Sequence, residues 1–308
     1  MDAYNLTRVI QFILIGLSDL PEVRYSLFVA FSIIYHITLV RNVGILLPIG
    51  TEKKLHIPMY YLLVNLSLID IFCSSTTVPK MLGNLLTGEK SISLVGCALQ
   101  LYLLVAIMGT EVFLLAVMAY DRYVAICFLL HYFLIITNYR CVQLMSGTWA
   151  AGFLNSVIHT MSTFSLSFCK SNLVNQYYCD IPQIVALSCS STYVAEMLAL
   201  LIGGIFGTSA FLTTLISYSY IISTILNIKS AERKHKAFST CASHLLVVCL
   251  FYGTAIFTYM CRSSSQNLLV RDRLISMLYG VITPMLNPII YSLRNTEVKG
   301  ALRRLLGC

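Results

Sequence analysis

Residues 197–228, MLALLIGGIFGTSAFLTTLISYSYIISTILNI, contain no Asp, Glu, Lys or Arg. A helix crosses the bilayer core with about 20 apolar residues, so this run is long enough to span a membrane alone. Working outward, the runs 91–110, 141–169, 237–261 and 274–293 are also free of charge. Residues 25–50 qualify if Arg41 is tolerated, and 58–80 if Asp70 is tolerated. The expectation is an all-α membrane protein, a seven-transmembrane helix bundle over 24–50, 57–82, 93–126, 140–165, 195–228, 236–262 and 271–292. Residues 123–139 lack charged groups too. If the third helix runs on to Cys127, though, only about a dozen remain, too few to cross; 128–139 then reads as a loop or short helix lying on the membrane.

Composition agrees. Of 308 residues, 57% are hydrophobic and 11% charged, with a mean hydropathy of +0.79. Soluble domains carry roughly 25% charge, so disorder, a nucleic-acid-binding domain and an ordinary cytosolic enzyme are excluded. Eleven cysteines are too dilute for a small disulfide scaffold, and no CxxC or HExxH spacing suggests zinc. No nucleophile–base constellation points to an enzyme. Residues 1–23 hold Asp2, Arg8, Asp19 and Glu22 and no long apolar run, which argues against a cleaved signal peptide. The chain therefore reads as one receptor-sized domain over 1–308. It divides into an extracellular N-terminus (1–23), the bundle (24–292) and a cytoplasmic tail (293–308).

Charge sets the orientation. The net charge is +8. One side carries twelve basic residues, among them Lys53, Lys54, Arg122, Arg140, Lys229, Arg233, Lys234, Lys236 and Arg294, against four acidic ones, Glu52, Asp121, Glu232 and Glu297. By the positive-inside rule that side is cytoplasmic. The N-terminus then faces outward at the plasma membrane, where Asn5-Leu6-Thr7 can be glycosylated. The Asn65-Leu66-Ser67 sequon falls inside a span and is discounted. An odd span count and a short outer N-terminus favour a receptor over an inverted-repeat transporter.

Motifs narrow the class. Met118–Cys127 reads MAYDRYVAIC, and Asn287-Pro288-Ile289-Ile290-Tyr291 closes the seventh span. Beside them stand Leu55–Tyr60 (LHIPMY), Ser217-Tyr218, Lys236–His244 (KAFSTCASH) and Pro284–Pro288 (PMLNP). Together these strings resemble the olfactory receptors, a branch of the rhodopsin-like G-protein-coupled receptors, from about residue 5 to 305. The resemblance implies that a small volatile odorant binds in the bundle and that a stimulatory, olfactory-type heterotrimeric G protein is activated, raising cyclic AMP. It implies a switch at Asp121, Arg122, Tyr123, Tyr218, Asn287, Pro288 and Tyr291, with Asp121 as the ionic partner of Arg122. Four outer cysteines allow three pairings; the family pattern implies Cys97–Cys179 and Cys169–Cys189.

The same resemblance places a ligand pocket at Leu104, Val105, Met108, Gly109, Val112, Phe206, Gly207, Tyr252, Ala255, Ile256 and Tyr259, with Tyr252 as a toggle. These positions are mostly apolar and suit a hydrophobic ligand with one polar group. Asp70 and Glu111 are ionisable groups at mid-membrane and thus functional candidates. The resemblance sets Asn42 and Asn287 beside them, which makes a candidate sodium site; beyond such an allosteric ion no cofactor is implied. Leu293–Leu306 alternates basic and apolar residues, the pattern of an amphipathic helix on the membrane surface. Two positions depart from the family: Arg41 stands where a glycine is usual, and Leu129 where a proline is. Arg41 is expected to snorkel or to pair with Asp70. Two other readings remain at this point, a non-olfactory receptor for a lipid or peptide and a transporter or channel. The latter should show internal repeats, and none is evident.

Overall fold

The computed structural model describes residues 9–17, 20–169, 171–260, 273–292 and 296–306. The Asn5 sequon and Arg294 lie outside them. Seven long helices form the bundle: α1 (Pro21–Thr51), α2 (Pro58–Thr87), α3 (Leu94–Cys127), α4 (Asn138–Phe164), α5 (Tyr193–Leu226), α6 (Ala231–Met260) and α7, which runs from Arg273 to Ser292. An eighth, α8 (Thr296–Leu306), follows. Six of the seven hold a stretch apolar enough to cross a membrane. The exception, α4, is diluted by Ser, Thr, Asn and His, yet its 27 residues give a length of about 40 Å at 1.5 Å per residue.

Local chemistry explains the helix ends. Pro21 and Pro58 occupy first-turn positions, where the missing N–H costs nothing. The Ser93 hydroxyl accepts from Gly96 N–H at 3.0 Å, and the Thr137 hydroxyl from Arg140 N–H at 3.2 Å. Gly88 ends α2 in the left-handed region at φ 79°. The Arg24 guanidinium packs against it, donating to the Leu85 carbonyl at 2.9 and 3.1 Å. The turn Leu129–His131 and the short helix Tyr132–Ile135 fill the expected loop, so the chain bends there without the proline.

The bundle keeps acidic and amide side chains inside an otherwise apolar core and presents apolar residues outward. Val40, Leu154 and Leu200 are exposed on its outer face, whereas Asn42, Asp70, Glu111, His244 and Asn287 are buried inside. Such a distribution suits a solvent of lipid tails. Helix contacts are close: a Cβ on Gly152 of α4 would lie 2.6 Å from the Ala106 carbonyl and clash with the Thr110 hydroxyl. Small residues that let backbones approach are the main packing device between membrane helices. Trp149 of α4 also donates to Asn65 of α2 at 2.9 Å, and the Ser156 hydroxyl donates to the Tyr102 carbonyl of α3.

One end is closed by a structure that periodicity did not suggest. Strand β1 (Gln11–Leu14) pairs antiparallel with β2 (Ser91–Ser93) and parallel with β3 (Leu173–Val174), in the order β2-β1-β3. Phe12 and Leu14 are fully buried against Leu101, Val174 and Ile184. The segment before α1 is therefore part of the core of this end. At the opposite end, α8 buries Val298 and Ala301 against Ile45 and Ile49 of α1. Glu52 accepts from the Arg304 guanidinium at 2.7 and 3.0 Å. This bond holds the Glu52 carboxyl below its ordinary range, the nearby Lys54 adding to the effect. Of the amphipathic tail expected over 293–306, residues 296–306 thus form a docked helix, and 293–295 lie outside the described residues.

Candidate functional site

The polar centre of the bundle is assembled by α7. Its π-helical turn, Leu278–Ile282, adds a residue to the winding ahead of Thr283 and Pro284; such turns recur at functional positions. From it the Tyr279 hydroxyl donates to Glu111 of α3 at 2.7 Å. Two turns on, Asn287 donates to Asp70 of α2 at 2.8 Å. The Asn42 amide reaches the Pro284 carbonyl at 3.3 Å, which ties α1 to the same helix. Each carboxylate thus has its own donor from α7, where the sequence suggested one proton or cation shared between the two.

Three oxygens at this centre, Asn42 Oδ1, Asp70 Oδ2 and Asn287 Oδ1, are buried with no hydrogen-bond partner among the described residues. Orphaned buried acceptors are expensive, and three on converging helices have the donor chemistry of a hard-cation site. The residues present fit a sodium ion on that ground.

Arg41 does not complete the cluster. Its side chain is exposed on the outer face of α1, beside Ile37 and Val40, while Asp70 is buried and bonded to Asn287. Adjacent helical residues diverge by about 100°, so Arg41 cannot share the inward direction of Asn42. The pairing of Arg41 with Asp70 is corrected accordingly.

Asp121 is likewise not the partner of its neighbour Arg122. Asp121 accepts from the Tyr132 hydroxyl at 2.7 Å, and no ion pair closes between it and Arg122; among the described residues the ion pair is Arg304–Glu52. Residues at i and i+1 do not face each other. Asp121 turns toward the short helix, leaving Arg122 half-buried at the end of the bundle. Burial and the Asp121 carboxylate push the Tyr132 phenol upward, which keeps it the donor. Tyr218 of α5 lies 2.6 Å from His244 Nδ1 of α6, with the two rings stacked. Tyr123 packs against Tyr220 and Phe128. Pro288 lies within α7, and Tyr291 is helical with its side chain outside the described set.

The pocket residues separate into groups. Leu104 is buried, and Val105, Met108 and Val112 are half-buried on α3. Tyr252 and Val112 both pack against the cluster of Leu115, Val247 and Val248, and Tyr252 meets Phe211 and Phe251 edge-on at 5.2 and 5.4 Å. Gly109 belongs elsewhere: a Cβ there would stand 3.2 Å from Gly152 Cα, so the residue serves the α3–α4 crossing rather than a pocket wall. Phe206 meets Phe113 at 5.3 Å, and Gly207 borders open space. Ala255, Ile256 and Tyr259 are helical, with side chains outside the described residues.

Cys97 joins Cys179 and Cys169 joins Cys189, with Cα separations of 5.6 and 5.8 Å; the first bridge packs with Phe12 and Leu14 of the sheet. Three polar partners, Tyr132, His244 and Tyr279, escaped the sequence reading. A signal existed for Tyr279, which stacks with Thr283 and Asn287 at i, i+4 and i+8, one face of a helix. His244 sat inside a family string that was read only as a signature.

Known proteins resemble this chain over its length. The family model described as olfactory receptor matches residues 31–307. Olfactory receptor 5B12 of Homo sapiens is 47% identical across 98% of this chain and 96% of its own length. Olfactory receptor 5AR1 of Mus musculus is 45% identical over 100% and 99%, and olfactory receptor 1G1 of Gorilla gorilla gorilla 47% over 99% and 97%. With seven long helices, six of them apolar enough to cross a membrane, and with relatives of matching length, the chain belongs to the olfactory receptor family of seven-helix membrane receptors, not to a family of enzymes.

Proposed function

We propose that this receptor is activated by a small, mainly hydrophobic volatile held between α3, α5, α6 and α7, and that it drives nucleotide exchange on a stimulatory, olfactory-type G protein. The proposal includes the plasma membrane as its site, with the sheet end outside and the Arg122 end in the cytoplasm. The observation that carries it is a continuous side-chain path. Tyr252 touches Phe251, Phe251 lies 5.4 Å from Tyr279, and Tyr279 holds Glu111. A ligand against Leu104, Val105, Met108, Val112 and Tyr252 thereby acts on α6 and α7 together. Moving α6 bears on the Tyr218–His244 bond near the half-buried Arg122.

The ligand acts by favouring one arrangement. Shifting an equilibrium from 1:99 to 99:1 requires about 10⁴-fold tighter binding to the active form. Sodium at the orphaned oxygens of Asn42, Asp70 and Asn287 would supply positive charge that stabilises the arrangement with α1, α2 and α7 together.

A cyclic-AMP reporter in cells expressing the chain, challenged with diverse volatiles beside ion-flux recording, tests the reading. Odorant-dependent cyclic AMP is expected; odorant-independent ion conduction would favour a channel. Tyr218→Phe breaks the α5–α6 bond and should raise basal cyclic AMP at equal surface level. An unchanged baseline would remove that bond from the switch.

A further inference from the structure

On the flank of the bundle, α3, α4 and α5 leave a groove of about 770 Å³. Its lining includes the small residues Ala116, Gly147, Ala151 and Ala210. Nothing lies within 4 Å of where a Cβ on Gly147 would project. The rim hydroxyls of Ser209 and Thr213 already donate to the Phe206 and Ser209 carbonyls at 3.0 and 2.9 Å, so they make no demand on an occupant. The Phe113–Phe206 ring pair stands at the end nearer the sheet. At the other end stands Arg140, exposed, with one guanidinium N–H given to the Ile135 carbonyl at 3.0 Å and no carboxylate in ion-pair range among the described residues. From Arg140 to Ala151 the helix rises about 16 Å. The space is mainly apolar along its length, the Thr148 hydroxyl being spent on the Met145 carbonyl, and it is polar and cationic at the Gln143–Arg140 end that meets the membrane surface.

We propose that this groove is a binding site for one anionic phospholipid, its acyl chain lying along Ala116, Gly147 and Ala210 and its phosphate on Arg140. Apolar space of this size facing lipid takes an acyl chain readily. Arginine binds phosphate bidentately and with a full charge, which supplies the headgroup preference. The site also has a consequence for the switch. Its walls at the Arg140 end include Tyr120 and Ile136, the neighbours of Asp121 on α3 and of the short helix carrying Tyr132. A lipid seated there braces the Tyr132–Asp121 bond from outside. The proposal needs no odorant, so it stands or falls separately from the ligand reading.

The test uses the purified full chain. Native mass spectrometry after equilibration with phosphatidylserine and phosphatidylcholine should show one retained phosphatidylserine against a tenfold excess of phosphatidylcholine. Arg140→Gln should erase the preference, and Gly147→Leu should erase retention of either lipid. Equal retention by the wild type, or a preference that survives Arg140→Gln, would overturn the proposal. A phosphatidylserine bearing a photoreactive acyl chain tests the unmodified protein. Label should fall within 113–120, 144–151 and 209–213, and label confined elsewhere overturns the site. Inorganic phosphate alone should leave thermal stability unchanged; protection equal to that given by phosphatidylserine would mean a free anion, not a lipid.

Discussion

At the residue scale, Arg41 is poorly suited to its place among the described residues. It faces outward from the middle of α1, where an arginine costs about 2.5–3.5 kcal/mol on insertion scales. An interhelical hydrogen bond in a membrane contributes on average about 0.6 kcal/mol, so several such bonds are needed to offset this one side chain. Arg41→Gly should therefore raise surface expression severalfold by flow cytometry. Because Arg41 stands apart from Asp70, the same variant should leave any sodium dependence of signalling unchanged; an altered dependence would return Arg41 to the cluster. Asp121 makes the complementary point. Its partner is Tyr132 and not the next residue in the chain, because one helical step of about 100° turns neighbours apart.

At the element scale, two contacts control how helices dock. Gly152 lets α4 reach the Ala106 carbonyl of α3, and no side chain fits in that space. Gly152→Val should separate the helices, lowering the melting temperature of the purified receptor by several degrees and its surface level with it. A variant that melts as the wild type does would show that the crossing can relax. Helix α8 is held by Val298 and Ala301 in the core and by Arg304 on Glu52. The Glu52 carboxyl titrates below its ordinary 4.5 when α8 is docked. A group whose folded value is depressed contributes fully above its unfolded value and loses that contribution as pH falls through the folded one. The protection factors of the α8 amides, taken relative to intrinsic exchange at each pH, should thus be flat from neutral pH down to about 5 and fall below that, and Glu52→Gln should remove the step. Protection that falls equally in the variant would assign the acid sensitivity to another group.

At the scale of the whole molecule, the sheet and two disulfides form a lid tying the N-terminal segment, the top of α3 and the loop before α5 into one unit. Closing a chain over a separation of 82 residues restricts the unfolded state by about 4.5 kcal/mol on the chain-entropy argument, against about 3.3 kcal/mol for a separation of 20. Replacing Cys97 and Cys179 together by alanine should therefore lower thermal stability more than replacing Cys169 and Cys189. The reverse order would mean that packing around Phe168 and Ser188, not loop closure, dominates the lid.

The seven spans, the amphipathic tail and the family were legible in the sequence, because crossing a bilayer demands long charge-free runs and the motifs are contiguous strings. The inward direction of Asp70 and Glu111 was legible too, since burying a carboxylate inside the bundle is far cheaper than exposing it to lipid. Only the tertiary structure decided who bonds to whom. Tyr279 is 168 residues from Glu111 and Asn287 is 217 from Asp70; no local period encodes such pairs. The strand at Gln11–Leu14 was likewise hidden, four residues whose partners lie in two distant loops. Gly109 and Arg41 show the remaining limit: helical counting places a residue on a face, but which neighbour covers that face follows from how the helices cross.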